Sequence, residues 1–326
     1  MEQDNPFTLV FGLRIVIAVV VLFVARSAFD ALRPASAHSL ETQVLFSAPS
    51  FAPGTYFVHT STVANMSLNW TYIDHPLTNS NPDAIVLITQ SWNPGGGDEQ
   101  YHPHPIGVWY SSSAQKWAIF NQDLATMITG VHFNVLIPAT GPGTFVHTAA
   151  ASNISGNSTY INHPLTNNNP DAIVFITQNW NPGGGDGTYN NRAIGVWYSS
   201  SAQKWAVFNE NLAAMPSGAA FNVLIPDAGA GAFVHTTTTA SRDLFGTVVD
   251  HPLTNNNPNA IVFATQNWNP GGGVGTYNTF PIGVSYRSFS FQKWSIQNQT
   301  VIEMPVGAAF NVVVMPYTVY LPLVLR

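Results

Sequence analysis

The sequence predicts an all-β protein of three tandem β-sandwich-like repeat domains after an N-terminal hydrophobic targeting helix, with a barrel as the second choice. Three observations lead to this prediction. One residue pattern recurs three times at a constant spacing, apolar residues within each copy follow a period of two, and Asn, Gly and Pro mark frequent turns. Hydrophobic residues make up 45% of the 326 positions, which is enough to build cores and excludes a disordered chain.

The N-terminal segment has the features of an export signal. Residues Ile15–Ala25 form an unbroken apolar run after Arg14, and this length suits the apolar region of a secretory signal. The small residues Ala35-Ser36-Ala37 follow and predict cleavage after Ala37. Counted from Phe7, the apolar stretch is also long enough to remain as an uncleaved anchor. We expect a secreted or cell-surface protein in which residues 1–37 are a signal peptide or membrane anchor.

A short motif establishes the repeat. His75-Pro-Leu-Thr-Asn recurs at His163 and at His251, 88 residues apart in both cases. The first two copies match at roughly two thirds of their positions, which indicates a recent duplication. Each copy is large enough to form a small domain with its own core. After the targeting segment, we predict a linker at 38–50, β-repeats at 51–138, 139–226 and 227–315, and a C-terminal strand or tail at 316–326.

The period of two predicts the strands of each copy, as the second copy illustrates. Residues 144–148 are typical of an alternating strand, and 172–178 form an apolar, β-branched run typical of a strand covered on both faces. Residues 194–208 predict a hairpin with a polar loop at 199–203, and 221–225 predict the closing strand.

Short joints rich in Pro and Gly separate the copies, at 138–143 and at 226–231. These residues interrupt strand and helix pairing. The sequence therefore predicts beads in a row on stiff connections rather than one fused barrel.

The charge content excludes several classes of function. Only 8% of residues are charged, against roughly 25% in an average soluble protein. With 10 Lys+Arg against 16 Asp+Glu, there is no basic surface for nucleic acid. The sequence contains no cysteine, which excludes disulfides, thiolate nucleophiles and Cys-based zinc sites. We expect contact with a membrane only through the N-terminal segment.

A Trp-Asn-Pro-Gly-Gly-Gly loop is the main binding candidate in each copy. An indole beside amides offers a sugar a flat apolar face with polar groups at its edge, and the glycines allow a close approach to the backbone. The alternative is that the tryptophan plugs the core. The candidate ligand-binding residues in these loops are Trp92, Trp180, Trp268, Asn93, Asn181 and Asn269.

Lysine usage gives a second set of candidates. All three lysines of the protein occur in Gln-Lys-Trp segments, one in each copy. This pattern is typical of a ligand-facing ammonium beside an indole, or of a lysine stem packed over the ring, and we favour packing. The residues are Lys116, Lys204, Lys293, Trp117, Trp205 and Trp294.

Recurring histidines and Asn-rich turns raise the question of a metal. Two histidines of each copy, such as His147 and His163, could hold an ion together with a carboxylate. The carboxylate does not recur, because Asp74 of the first copy is replaced by Asn162 in the second. We therefore predict no metal site and no cofactor. Calcium at Asn167–Asp171 is a further option, but ion-free Asx turns have the same sequence.

No pattern typical of catalysis recurs. A pair of acids for hydrolysis is not kept in all copies, and neither Gly-x-Ser-x-Gly nor His-Glu-x-x-His is present. We predict that the protein is not an enzyme and has no catalytic residues.

The second copy contains the strings HPLTNNNPDAIV, TQNWNPGGG, IGVWY and QKW. This pattern resembles an uncharacterised repeated β-domain of bacterial secreted proteins. All three copies carry it, over most of the chain after residue 50, and the third departs from it at Asn259, Val274 and Ser285. The resemblance implies export and modularity and brings no activity with it.

These observations predict an exported, non-enzymatic tandem-repeat protein of the cell surface or extracellular matrix. Its role is structural or adhesive, with multivalent glycan binding as one form of it. The expected partners are glycans or cell-surface polymers, and self-assembly is a further option. The alternative is a carbohydrate-active hydrolase or its carbohydrate-targeting appendage.

Overall fold

The computed structural model describes residues 54–97, 100–226, 231–287 and 291–315. The predicted targeting segment, the linker at 38–50 and the tail at 316–326 lie outside the described residues. Within the described ranges the chain forms strands, turns and three short 3₁₀ turns, without an α-helix. None of the helices described there is long and apolar enough to cross a membrane.

Each copy contributes seven strands in the same order. The first copy forms β1 (Thr55–Thr60), β2 (Met66–Ser67), β3 (Trp70–Tyr72), β4 (Leu87–Ser91), β5 (Ile106–Ser111), β6 (Lys116–Asn121) and β7 (His132–Ile137). The second forms β8 (Thr144–Thr148), β9 (Ile154–Ser155), β10 (Ser158–Tyr160), β11 (Phe175–Asn179), β12 (Ile194–Ser199), β13 (Lys204–Asn209) and β14 (Ala220–Leu224). The third forms β15 (Ala232–Thr236), β16 (Arg242–Asp243), β17 (Gly246–Val249), β18 (Ile261–Asn267), β19 (Ile282–Arg287), β20 (Lys293–Asn298) and β21 (Ala309–Met315).

Each copy is a β-sandwich, as predicted. In the second copy β8, β14 and β11 form one antiparallel layer, and β12, β13, β10 and β9 form the other. The two layers enclose a core that contains Tyr198, Trp205 and Phe221. Matching cores surround Trp117 in the first copy and Trp294 in the third. The prediction of an all-β chain with three tandem domains is confirmed.

The sandwiches are joined edge to edge. β11 pairs in parallel with β5 of the first copy, β18 with β12 of the second, and β4 with β19 of the third. The described residues thus form three seven-stranded sheets, none of which closes on itself, in the orders β1-β7-β4-β19-β20-β17-β16, β15-β21-β18-β12-β13-β10-β9 and β2-β3-β6-β5-β11-β14-β8. Because the first copy also pairs with the third, the copies close into a ring.

The prediction of three separate domains arranged like beads in a row is therefore wrong. A separate sandwich would leave the backbone N–H and C=O groups of its edge strands without partners, and pairing with the next copy satisfies them. The short joints that suggested separate beads are compatible with the ring, because neighbouring copies in the sequence are also neighbours in the sheets.

A fourth apolar cluster fills the centre of the ring. The three-stranded layers turn one face to their own sandwich and the other to this axial core. In β11, Ile176 points into the sandwich and Phe175 into the axial core, which explains why the strand is apolar on both faces. The strand predicted at 172–178 begins three residues later than expected, at Phe175. The axial core contains Leu87, Leu136, Phe175, Leu224, Ile261, Phe263, Val313 and Met315.

Buried polar side chains fasten the copies around this core. Three asparagines each donate from Nδ2 to a backbone carbonyl of another copy, over 2.8 to 2.9 Å; they are Asn134, Asn222 and Asn311. Three threonine hydroxyls each accept a backbone N–H of another copy, over 3.0 to 3.2 Å; they are Thr89, Thr177 and Thr265. Loss of one partner would leave buried polar groups unsatisfied, which costs about 1–3 kcal/mol per group.

We expect the second copy alone, residues 139–226, not to reach the native fold. The fragment lacks β5 and β18, the strands that its two layers pair with, and the hydrogen-bond partners supplied by the other copies. Circular dichroism and amide NMR dispersion of the fragment and the full chain measure this. The full chain should unfold in one cooperative transition. A well-dispersed spectrum from the fragment, or separate transitions in the full chain, would contradict the ring.

Candidate functional site

The asparagine of each Trp-Asn-Pro-Gly loop fastens one copy to the next. Asn181 Oδ1 accepts the Tyr110 N–H over 2.8 Å, and its Nδ2 donates to the Tyr110 carbonyl over 2.9 Å. Its side chain therefore bonds like one more strand residue at the parallel edge. Asn269 binds Tyr198 and Asn93 binds Tyr286 in the same way, and all three asparagines are buried. We assign Asn93, Asn181 and Asn269 this role in place of the ligand contact expected from the sequence.

The glycines of the same loop allow a close approach, but the group that approaches them is a side chain of another copy and not a ligand. Gly184 has φ +78°, and a Cβ there would lie 2.9 Å from Cδ1 of Tyr110. Gly272 lies against Tyr198 in the same manner. The space that the sequence assigned to a ligand is therefore occupied by a tyrosine ring of the neighbouring copy.

Each Gln-Lys-Trp segment divides its residues between two faces of a strand. The tryptophans are buried in the cores and donate from Nε1 to a backbone carbonyl of the Asn-rich turn over 2.8 Å; they are Trp117, Trp205 and Trp294. The lysines begin β6, β13 and β20 on the outer face; they are Lys116, Lys204 and Lys293. Since consecutive strand residues point to opposite faces, lysine and tryptophan do not form one site.

The three tryptophans of the Trp-Asn-Pro-Gly loops differ in exposure. Trp92 is only 1% exposed, donates from Nε1 to Gln299 Oε1 over 2.8 Å, and is covered by Tyr101 and Phe245. Trp180 and Trp268 are half-buried. Two of the three predicted indoles therefore reach the surface, and Trp92 belongs to the interior of a copy boundary.

Trp180 belongs to a larger group of rings that the sequence did not identify. On the outer surface of one sheet, the ring centroids of Trp70 and Trp109 are 5.3 Å apart, and those of Trp109 and Trp180 are 6.2 Å apart with nearly perpendicular planes. Tyr72 packs on Trp70 at 6.2 Å. All four side chains are half-buried. We call Trp70, Tyr72, Trp109 and Trp180 aromatic face 1.

An equivalent group lies across the boundary of the second and third copies. The centroids of Trp197 and Trp268 are 6.1 Å apart with nearly perpendicular planes. Tyr160 lies 6.1 Å from Trp197, and Tyr277 lies 5.4 Å from Trp268. Tyr277 is exposed and the other three are half-buried. We call Tyr160, Trp197, Trp268 and Tyr277 aromatic face 2.

The boundary of the third and first copies lacks such a face among the described residues. Ser285 stands where the other copies have Trp109 and Trp197, and Val248 where they have Tyr72 and Tyr160. Trp109 and Trp197 were visible in the sequence as parts of a predicted strand. The signal that could have identified them was their alternation with the buried Tyr110 and Tyr198, which places the tryptophans on the outer face.

The histidines that recur in the copies form two separate sets. His59, His147 and His235 hydrogen-bond a threonine hydroxyl through Nε2 over 2.8 to 2.9 Å. Burial lowers the pKa of each of them to about 4, so they are neutral at pH 7. The second set stacks on phenylalanine rings; its members are His75, His163 and His251. The described residues contain no group of three His, Cys, Asp or Glu placed to hold a metal ion.

The Asn-rich turn that was a calcium option is held by its own side chains. Asn167 donates to Asn162, and Asn169 donates to the Leu165 carbonyl. Asn168 has φ +58°, a conformation that asparagine tolerates in tight turns. These contacts are those of an Asx-stabilised turn.

A small cavity of about 80 Å³ with a mixed polar and apolar lining lies beside the axial core. It has room for a few water molecules and not for a sugar ring. Equivalent residues of the three copies line it, among them Thr89, Thr177, Thr265, Gln90, Gln178 and Gln266.

Fold and site together define an all-β ring of three tandem sandwich domains with aromatic outer faces. The chain belongs to the family described as a domain of unknown function (DUF7452), whose model matches residues 37–127, 107–213 and 195–314. Consecutive matches overlap at the hairpins β5–β6 and β12–β13. The resemblance to an uncharacterised repeated domain is confirmed. No curated protein and no solved structure matches the chain.

Glu210 introduces a buried carboxyl at the boundary of the second and third copies. Its equivalents in the other copies are Gln122 and Gln299. Its side chain is 1% exposed, lies over Gly195 and leaves Oε2 without a hydrogen-bond partner among the described residues. Burial raises the pKa of Glu210 to about 8, although a hydrogen bond from the Asn278 backbone opposes the shift.

We expect Glu210→Gln to stabilise the protein at pH 8 and not at pH 4. The folded carboxyl stays protonated up to about pH 8, whereas the unfolded one ionises near the ordinary glutamate pKa of 4.5. The native protein therefore loses stability as the pH rises between these values, and glutamine removes this loss. The gain at pH 8 should be on the order of 4 kcal/mol. Urea unfolding at both pH values measures it, and an equal effect at both would contradict the assignment.

Proposed function

We propose that the protein is an exported, non-enzymatic scaffold that binds a polysaccharide of the cell surface or matrix through aromatic faces 1 and 2. The observation that carries this proposal is the clustering of half-buried indole and phenol rings on two outer sheet faces. Contiguous surface patches of apolar rings, unlike singly scattered ones, are typical of interaction sites.

The arrangement of the rings suits a sugar chain. In each face two tryptophans meet edge to face, so that one ring fixes the orientation of the other. A pyranose ring packs its apolar C–H face on such an indole, while its hydroxyls reach polar groups and water at the rim. Because each face extends from one copy onto the next, it is longer than a single-residue contact and fits a polymer better than a monosaccharide.

Closure of the ring supports binding at more than one face. Both faces belong to sheets that share the axial core and its fastening hydrogen bonds. Their relative position is therefore set before the ligand arrives, so little conformational freedom is lost on binding. Two faces that engage one long polymer raise the avidity well above the affinity of a single face.

The sequence supports the place of action. The apolar segment at 15–25 predicts export, and a polymer of the cell surface or matrix is the partner available there. A low charge content and amide-rich loops suit a durable extracellular part. We propose a structural or adhesive role in which the ring holds polymer chains.

We expect Trp109→Ser and Trp197→Ser each to weaken retention on a neutral polysaccharide roughly tenfold, and the double variant to abolish avidity. Both substitutions introduce the residue that the third copy has at the equivalent position, Ser285. The measurement is depletion of the full chain by cellulose, chitin, xylan and isolated cell walls, with thermal melting as the folding control. Leu77→Ser, at an exposed position outside both faces, should bind like the unchanged chain.

Two results would refute the proposal. One is the absence of retention on every polymer of the panel. The other is a well-folded double variant that is retained as strongly as the unchanged chain. Release of soluble sugar during incubation would instead favour the hydrolase alternative.

A further inference from the structure

A cleft lies beside aromatic face 2 in the second copy. It is open to solvent, has a volume of about 460 Å³, and its floor is polar. Lys204 and Tyr160 lie on the same outer face of the sheet, because both share a face with Ala206. The cleft is lined by His147, Ser152, Asn153, Tyr160, Asn162, Ala202 and Lys204.

In the first and third copies a carboxylate neutralises the equivalent lysine. Asp74 Oδ2 accepts a hydrogen bond from Lys116 Nζ over 2.7 Å, and Asp250 Oδ2 lies 2.7 Å from Lys293 Nζ. The lysine and a neighbouring asparagine hold the pKa of Asp74 below its usual value. These two positions are therefore occupied by an internal ion pair.

The second copy has lost this carboxylate. Asn162 replaces the aspartate, and Lys204 has no acidic partner among the described residues. A second substitution affects the same cleft, because Ser152 stands where the other copies have Ala64 and Ala240. Together the two changes remove a negative group and add a hydroxyl at one place.

Hydrogen bonding shows which end of the Asn162 amide faces the lysine. Asn79 donates to Asp74 Oδ1, the oxygen that does not bind Lys116. In the second copy Asn167 donates to Asn162 Oδ1 in the same way, over 2.8 Å. The Nδ2 group therefore takes the place of the carboxylate oxygen that binds lysine in the first copy. The cleft presents the Lys204 ammonium, the Asn162 amide N–H groups and the Ser152 hydroxyl, and lacks the acceptor found in its counterparts.

We infer that this cleft binds the carboxylate of an acidic sugar, a uronate, within the polymer held by aromatic face 2. The ligand supplies the carboxylate that Asp74 and Asp250 supply in the other copies. Lys204 and Asn162 donate to it, and Tyr160 and Trp197 pack against the sugar rings next to it. This inference rests on the proposed function and adds the substrate class of one face. Aromatic face 1 takes neutral sugars, because Asp74 already neutralises Lys116.

Asn162→Asp in the full chain tests the inference. The variant copies the native residue of the other two copies, so it should fold and pair with Lys204. The probes are polygalacturonate, alginate and hyaluronan oligosaccharides, each with its carboxyl-esterified form as the neutral counterpart, measured by titration calorimetry. The unchanged chain should bind an acidic oligosaccharide about tenfold more tightly than its ester, and Asn162→Asp should abolish that preference. The preference should also weaken as salt is added.

The first copy offers the converse experiment. Asp74→Asn frees Lys116, and Ala64→Ser adds the hydroxyl that the second copy has at Ser152. The double variant should gain a second acidic site and approximately double the binding stoichiometry for the acidic oligosaccharide. The matched control is Ala64→Ser alone, which keeps the Asp74–Lys116 pair and should not gain a site.

Two outcomes would overturn the inference: equal affinity of the unchanged chain for all acidic oligosaccharides and their esters, or an acidic preference that survives Asn162→Asp. Neither outcome affects the proposed function by itself. In either case the unchanged chain should still be retained on neutral polymers, and Trp109→Ser and Trp197→Ser should still weaken that retention. Failure of the proposed function would instead appear as retention that is absent or indifferent to these tryptophans.

Discussion

The parallel pairing of strands at each copy boundary is the interaction on which the rest of the structure depends. Each parallel contact is short, with one or two residue pairs in register, and Asn93, Asn181 or Asn269 extends it by bonding both backbone groups of a tyrosine. Strand pairing alone would be weak at this length. Each boundary is therefore also held by apolar packing in the axial core and by the hydrogen bonds of its asparagine.

This mode of joining explains why most residues of the recurring loop do not belong to the candidate binding surface. Trp-Asn-Pro-Gly-Gly-Gly recurs because every boundary needs its asparagine bridge and its glycines, against which a tyrosine packs. The outer faces are free of that requirement, and they have diverged. Two carry half-buried tryptophans, whereas Ser285 and Val248 occupy the third and Phe245 covers Trp92. The repeated residues thus join the copies, whereas the copies differ at the outer faces that we propose as binding surfaces.

Some buried polar groups of the ring are hydrogen-bonded and stabilise it, whereas the buried carboxyl of Glu210 is incompletely paired. The asparagines and threonines around the axis are paired across the copies and fix their relative position. Glu210 is a carboxyl at a position where both other copies have glutamine, and it is neutral only because burial raises its pKa. At the surface, Lys204 differs from the equivalent lysines of the other copies because Asn162 stands where they have an aspartate. Both changes fall in the second copy.

The sequence by itself determined the all-β class, the three copies and most strands of the sandwich, because period-two patterns and turn residues are local properties. The hairpin predicted at 194–208 corresponds to β12 and β13, and the apolar run at 172–178 overlaps β11, which begins at Phe175 and ends at Asn179. Ring closure was decided by tertiary structure, since a short joint is compatible both with separate beads and with shared sheets. The same holds for the site: Trp180 and Trp92 lie in the same Trp-Asn-Pro-Gly-Gly-Gly motif, and only the residues packed against them from another copy leave one at the surface and bury the other.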